Sequence, residues 1–307
     1  MISEAVIQAL KKFVSEENIC LQEPMAGHTT FRIGGPADCF LQPENEEQLI
    51  QVQRYLSKVG IPFFVLGNGS NLLVSDGGYR GVIIQIGRKM SRIEVEGCII
   101  KAQAGAPLAQ VAKTAMEYGL TGLEFASGIP GTVGGGVVMN AGAYDGELSR
   151  VVVRVNAVNS EGESMELDNE TMEFGYRTSA VKNSSLTVTE VIFGLEKGDR
   201  EQIRAKMDDF AARRREKQPL EYPSAGSTFK RPEGYFAGKL IMEAGLRGYQ
   251  CGGARVSDKH CGFVINTGGA TAEDVRDVIH EVQEQVKDKF HVTLETEVIF
   301  LGWEKNR

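Results

Sequence analysis

Three short segments carry residue types that could do chemistry. The first, F-G-Y-R-T-S at residues 174–179, sets an arginine beside a tyrosine. The planar fork of Arg177 could grip a carboxylate through two parallel N–H···O bonds. Arg177 could equally be a surface arginine whose stem lies on the Tyr176 ring. The second segment, A-G-S-T-F-K-R-P at residues 225–232, centres on Ser227. It is not the G-x-S-x-G nucleophile elbow, because Phe229 fills the last position. None of the four histidines, His28, His260, His280 and His291, lies beside it in sequence, so a hydrolase triad finds no support. A serine hydroxyl can instead give up a proton, but only to a strong base such as an enolate; the plainer reading is a serine that bonds a turn. The third segment, L-E-T-E-V-I-F at residues 294–300, reads as a strand with Glu295 and Glu297 on one face and Thr296 on the other. A buried carboxylate there would need a partner or a raised pKa, which marks functional groups. The alternative is an edge strand with two solvated glutamates.

A second kind of chemistry comes from residues with no side chain. Residues 127–144 read S-G-I-P-G-T-V-G-G-G-V-V-M-N-A-G-A-Y, six glycines in eighteen residues with no charge. Glycine weakens helices and strands alike, so this density needs another use. Bare N–H groups in succession form a positive concavity that suits a phosphate or pyrophosphate. Packing of one tight turn on another is the other explanation. A second stretch, I-P-F-F-V-L-G-N-G-S-N at residues 61–71, runs from an apolar strand into a turn of small residues. Neither is a known nucleotide fingerprint. No G-x-x-x-x-G-K-[ST] occurs, and Leu72 occupies the last glycine position of the G-x-G-x-x-G begun by Gly67 and Gly69. Two such loops fit a long diphosphate gripped from both sides.

The elements that must position these residues follow from periodicity. An amphipathic helix over residues 3–14 opens the chain and does not read as a signal peptide. Strands are expected at 29–33, 61–66 and 81–86, with a helix over 46–58, giving a first unit of residues 1–90. Residues 91–198 form a second unit, with strands at 99–102, 151–158, 163–167 and 186–195 and a helix set between Pro107 and Gly119. Residues 199–307 form a third. It has a helix over 200–215, an irregular stretch over 223–266 around a short helix at 237–244, and a long helix opened by a Thr271/Asp274 capping box. A last strand is expected over 291–302.

Bulk properties exclude several classes. The 34 Lys and Arg against 41 Asp and Glu give a net charge of −7, which argues against a nucleic-acid partner. The local clusters Arg213-Arg214-Arg215 with Lys217, Lys230-Arg231, and Arg247 still make a positive field suited to a phosphorylated metabolite. No stretch is long and apolar enough to span a bilayer, so a cytoplasmic protein without membrane insertion is expected. The five cysteines are scattered and odd in number, as free thiols in a reducing compartment would be. Cys251, His260 and Cys261 fit no zinc spacing, and no metal is expected.

Seven segments in order resemble one family: H-T-T-F-R-I-G-G-P-A-D, L-G-N-G-S-N, the glycine-rich segment, F-G-Y-R-T-S, A-G-S-T-F-K-R-P, G-G-A-x-V-S-x-K-H and L-E-x-E-V. The chain is similar, from about residue 28 to residue 302, to the UDP-N-acetylenolpyruvoylglucosamine reductases (UDP-N-acetylmuramate dehydrogenases) of peptidoglycan precursor synthesis. The resemblance implies an α+β protein: a two-subdomain FAD-binding fold of the vanillyl-alcohol-oxidase type plus a C-terminal α+β substrate-binding domain. It implies non-covalent FAD, with NADPH as co-substrate and UDP-N-acetylglucosamine enolpyruvate as substrate. Gly67, Asn68, Gly69, Ser70, Asn71, Ser127, Gly128, Gly131, Thr132, Val133, Gly134, Gly135, Ala141 and Gly142 would hold FAD. Arg177 would stabilise an enolate-like intermediate, Ser227 would donate the proton to C2, and Glu297 would assist at the carboxylate. Tyr176, Lys217, Lys230, Arg231, Arg247 and His260 would contact substrate. Some members carry, between the Arg and Ser motifs, an extra segment whose tyrosine closes over substrate. The interval from Arg177 to Ser227 leaves little room for it, so the chain resembles the shorter branch. An oxidase or dehydrogenase of the same flavin fold is the main alternative, and a non-catalytic flavin-binding protein the second; neither needs a proton donor to an enolate.

Overall fold

The computed structural model describes residues 2–303. The chain forms two compact units, each assembled from separate stretches of sequence. The first takes residues up to Leu21, Cys39–Asn68 and Gly81–Arg214; the second takes Gln22–Asp38, Gly69–Arg80 and the chain from Arg215 onward. A four-stranded sheet runs in the order Ile19–Pro24, Pro36–Leu41, Tyr79–Gln85, Phe63–Leu66. Its last two strands are parallel, with Phe63 opposite Val82 and Leu66 opposite Gln85.

The first unit contains a five-stranded antiparallel sheet in the order Ser164–Asp168, Val152–Val158, Thr187–Gly194, Ile99–Gln103, Ile93–Glu96. Alternation along these strands sends Val155, Val191, Ile100 and Phe193 into a core with no exposed surface. The helix Glu46–Val59 packs Leu49, Val52 and Leu56 into the same core. It starts where the Asn45 side chain accepts from Gln48 N and stops at Gly60, whose φ of 69° ends the right-handed turn. The helix expected between Pro107 and Gly119 spans Leu108–Glu117. The opening helix is shorter than its periodicity predicts, Glu4–Leu10, although Val14 is still buried beyond it.

The second unit is built around the helix Ala272–Phe290. The Thr271/Asp274 capping box forms, and Val275, Val278, Ile279, Val282 and Val286 are buried on one stripe. Each such side chain contributes about 1.5–3 kcal/mol by leaving water. An acidic substitution at Val282 would leave an unpaired charge in this core. The stretch expected to be irregular holds a small antiparallel sheet, Gln250–Cys251, Ala254–Val256 and Val264–Asn266, as well as the helix Ala237–Glu243.

Two expected strands are corrected. Residues 29–33 form a tight loop, in which Thr29 Oγ1 donates to Ile33 O (2.8 Å) and Arg32 takes a left-handed φ of 56°. The local side-chain bond wins over the strand pattern. The last strand covers only Ile299–Leu301, paired in parallel with Leu72–Val74. Before it, Thr296 makes a single antiparallel bridge to Phe229.

Candidate active site

In the first unit the two glycine-rich loops touch. A Cβ on Gly67 would lie 2.4 Å from Thr132 Oγ1, so only a glycine permits this approach. Asn68 Nδ2 donates to Pro130 O (3.0 Å), and Gln85 Nε2 donates to Gly67 O (3.1 Å). Thr132 caps the short helix Val133–Val138, its hydroxyl accepting from Gly135 N (3.3 Å). Gly134 presses on Ala104, to whose carbonyl its N–H donates (2.8 Å). Among the described residues, the backbone N–H group of Asn68 donates to no other protein group. A bare amide beside two loops in close contact suits a diphosphate, and the residues present in this unit fit FAD.

The Arg177 turn lies in the same unit. Gly175 and Thr178 bond to each other in both directions (Gly175 N to Thr178 O, 3.1 Å; Thr178 N to Gly175 O, 3.3 Å). Tyr176 and Arg177 are therefore the corner of a two-residue hairpin. Arg177 takes φ 56°, uncommon for a side-chain-bearing residue and typical of sites whose geometry is imposed by their surroundings. Its guanidinium stands 5.2 Å from the Tyr176 ring centroid and donates to Gly142 O (3.3 Å). The guanidinium thus lies over the Tyr176 ring and bonds the glycine-rich segment.

In the second unit Ser227 and Glu297 sit on neighbouring backbones. Glu297 N donates to Thr228 O (2.8 Å), and Lys230 N donates to Glu295 O (2.9 Å). Gly226 takes φ 75°, which frees the chain to swing Ser227 outward, and Ser227 is exposed. Thr228, fully buried, anchors the segment beneath it: its N–H donates to Gly262 O (2.8 Å) and its hydroxyl accepts from Val264 N (3.0 Å). Asn71 holds the other segment, donating from Nδ2 to Glu297 O (3.0 Å) and accepting from Ile299 N (3.0 Å). The two glutamates, expected on one face, have different environments. Glu295 is exposed and pairs with Lys230 (2.7 Å), which lowers its pKa; Glu297 is half-buried. His260 lies under this region, its Nδ1 accepting from Gly262 N (3.1 Å), and burial lowers its pKa. That bond requires the neutral ring, with the proton on Nε2.

Three other expected contacts with substrate are exposed cations: Lys217 at the end of the helix Arg200–Lys217, Arg231 stacked 4.0 Å over the Phe236 ring, and Arg247. Sequence reading missed Thr228 and Asn140, and took Arg214 only as one member of a basic cluster. Arg214 bonds the Gly128 carbonyl, and burial lowers its pKa. Its place at a helix C-terminus had offered a sufficient electrostatic reason for the cluster.

Comparison with known proteins fits this geometry. Residues 37–168 match the FAD binding domain family, and residues 218–301 match the family described as UDP-N-acetylenolpyruvoylglucosamine reductase, C-terminal domain. An alkyldihydroxyacetonephosphate synthase structure shares the fold over 64% of this chain and 41% of its own, with a TM-score of 0.51 at 15% identity. The protein is an α+β flavin-dependent oxidoreductase, with the FAD-binding fold of the vanillyl-alcohol-oxidase type and a C-terminal domain of its own kind. The UDP-N-acetylenolpyruvoylglucosamine reductase of Clostridium perfringens is 52% identical over 293 residues, covering 95% of this chain and 96% of the relative. That of Geobacillus kaustophilus is 50% identical over 302 residues, covering 98% and 99%. The crystal structure of the Thermus caldophilus enzyme superposes with a TM-score of 0.80 at 33% identity, covering 92% of this chain and 98% of that one. The chain belongs to the UDP-N-acetylenolpyruvoylglucosamine reductase family.

Proposed function

We propose that Arg177, Ser227 and Glu297 carry out the chemistry of this reductase. As a member of the family, the protein is an FAD-containing oxidoreductase that reduces the enolpyruvyl ether of UDP-N-acetylglucosamine enolpyruvate to UDP-N-acetylmuramate in peptidoglycan precursor synthesis, with NADPH as reductant. FAD held by this protein, once reduced by NADPH, would supply the hydride to C3 of the double bond. Addition of hydride leaves an enolate on the pyruvyl carboxylate, which needs a cation at the carboxylate and an acid at C2. Arg177 supplies the cation and Ser227 the proton, a hydroxyl being acid enough only because an enolate is the base. Glu297, held beside Ser227 by the Thr228 carbonyl, polarises the carboxylate end. Gly67, Asn68, Gly69, Ser70, Asn71, Ser127, Gly128, Gly131, Thr132, Val133, Gly134, Gly135, Ala141 and Gly142 hold FAD. Tyr176, Lys217, Lys230, Arg231, Arg247 and His260 bind the substrate. The cofactor is thus held mainly by residues 1–198 and the substrate mainly by residues 199–307. The reaction takes place in the cytoplasm; no helix of the described residues is long and apolar enough to cross a membrane.

The observation that carries the reading is the backbone pairing that holds Ser227 and Glu297 side by side in a family whose reaction needs a proton donor. The test is anaerobic: reduce the flavin with NADPH, add UDP-N-acetylglucosamine enolpyruvate, and follow absorbance. Rapid return of the oxidised spectrum supports the reductase. A flavin that bleaches but recovers only when oxygen is admitted would mean an oxidase of the same fold.

A further inference from the structure

We propose that Asn140 is a positioning residue for Arg177, clamping the turn that carries it to the end of the glycine-rich segment. The inference rests on the role given to Arg177 above. Asn140 is 1% exposed, yet both ends of its amide are used. Nδ2 donates to Gly175 O (3.1 Å), and Oδ1 accepts from Ser149 N (2.9 Å). Its φ of 41° is left-handed, a conformation that asparagine tolerates better than most residues. Gly175 O is the base of the two-residue corner and also accepts the 3.3 Å bond from Thr178 N. Two further bonds tie the same pieces together: Ser179 Oγ donates to Val138 O (2.9 Å), and Arg177 Nη2 donates to Gly142 O (3.3 Å). Lys182 Nζ steadies the corner from behind by donating to Arg177 O (2.9 Å).

The segment fastened in this way, 138–142, directly continues the loop 127–136 that holds the cofactor. Asn140 therefore registers the guanidinium of Arg177 against the cofactor loop. A left-handed arginine persists only where its surroundings over-determine it, and the buried amide is the clamp at the base of the turn. Without it the corner is free to re-aim the arginine, and catalytic groups misplaced by about 1 Å can lose about 100-fold in rate.

The experiment uses the full-length holoenzyme and measures both half-reactions by anaerobic stopped flow. Asn140→Gly keeps the left-handed backbone and removes both bonds. Asn140→Asp keeps the acceptor for Ser149 N and removes the donor to Gly175 O. Flavin content and reduction by NADPH should stay within about threefold of wild type, while reoxidation by substrate slows by about 10- to 100-fold. The double variant Asn140→Gly/Arg177→Ala should reoxidise no more slowly than Arg177→Ala alone, because a group that acts through Arg177 has nothing left to position. Multiplicative losses in the double variant would overturn the inference. So would equal losses in both half-reactions, or loss of flavin from both single variants, which would make Asn140 part of the cofactor scaffold. An Arg177→Ala enzyme that reoxidises at the wild-type rate would instead sink the role of Arg177 itself.

Discussion

The loops of the first unit and the paired segments of the second expose their chemistry in opposite ways. Around Gly67 and Thr132 the surface offered is main chain, and side chains such as Asn68 and Gln85 are spent on holding loop carbonyls. Around Ser227 the main chain is spent on pairing and on the anchors Thr228 and Asn71, and the side chains of Ser227 and Lys230 are what is offered outward. A backbone site is damaged by adding atoms, a side-chain site by removing them. Additions in the first unit should therefore cost cofactor, and deletions in the second should cost chemistry with the cofactor in place.

The largest expected effect is on the chemistry. Ser227→Ala removes a hydroxyl from an exposed position without disturbing the pairing of Thr228 with Glu297. Reduction of the flavin by NADPH should be unchanged, and reoxidation by substrate should fall by about 10²–10⁴, the usual contribution of a general acid. Stopped-flow absorbance separates the two. Equal losses in both half-reactions would falsify the role of Ser227 and erase the distinction between the units.

Next in size is the complementary addition. Gly67→Ala drives a methyl into Thr132 Oγ1, which is already committed to capping Gly135 N. The protein should purify with little flavin, and its FAD affinity should fall by about 100-fold, corresponding to about 2.7 kcal/mol. Titration of the apoprotein with FAD while following flavin fluorescence measures this. Full flavin content in the variant would show that the loop contact is not part of the cradle.

A third change sharpens the comparison by striking a side chain that supports rather than reacts. Thr228→Val keeps shape and burial but leaves Val264 N without its acceptor. An unpaired buried donor costs about 1–3 kcal/mol, which denaturant unfolding should show as a lower midpoint. Reoxidation by substrate should also slow, though less than in Ser227→Ala, because the hydroxyl is retained on a looser segment. A variant as stable as wild type would mean that the Ser227 segment is anchored elsewhere.

How much of this was legible in sequence follows the same division. The helix Ala272–Phe290 was readable because its cap and its apolar stripe are local. The glycine-rich segments were readable because bare backbone announces itself in composition. Thr228, Asn71 and Asn140 were not read as anchors, because their partners Val264, Glu297 and Gly175 lie far along the chain or on another loop. Asn140 sat inside a glycine-rich run, where an asparagine looks like one more turn former. The strand pattern at residues 29–33 misled because the Thr29 hydroxyl closes a loop that periodicity cannot see. The small sheet at residues 250–266 was hidden by its glycine content and by strands of two or three residues. Nor does any local pattern report that residues 22–38 and 69–80 join the C-terminal part in one unit.

The smallest expected effect is a pH slope carried by His260. Its ring nitrogen accepts from Gly262 N, and Gly262 O in turn accepts from Thr228 N, so the neutral ring is built into the support of the Ser227 segment. Burial lowers its pKa below the ordinary value near 6.5. Between the unfolded and folded values the unfolded chain binds more protons, so stability rises with pH there. The contribution is complete above about pH 6.5 and is lost as pH falls toward the folded value, with a slope bounded at about 1.4 kcal/mol per pH unit for one proton. His260→Asn keeps an acceptor for Gly262 N and removes the titration. Unfolding midpoints at about pH 5 and pH 7.5 should lie closer together in the variant than in wild type. An unchanged gap would mean that the acid sensitivity of the second unit comes from other groups. Activity under mild acid should fall in wild type more than in His260→Asn, since protonating His260 strips an acceptor from the loop beneath Ser227 without touching the backbone proposed to hold the cofactor in the first unit.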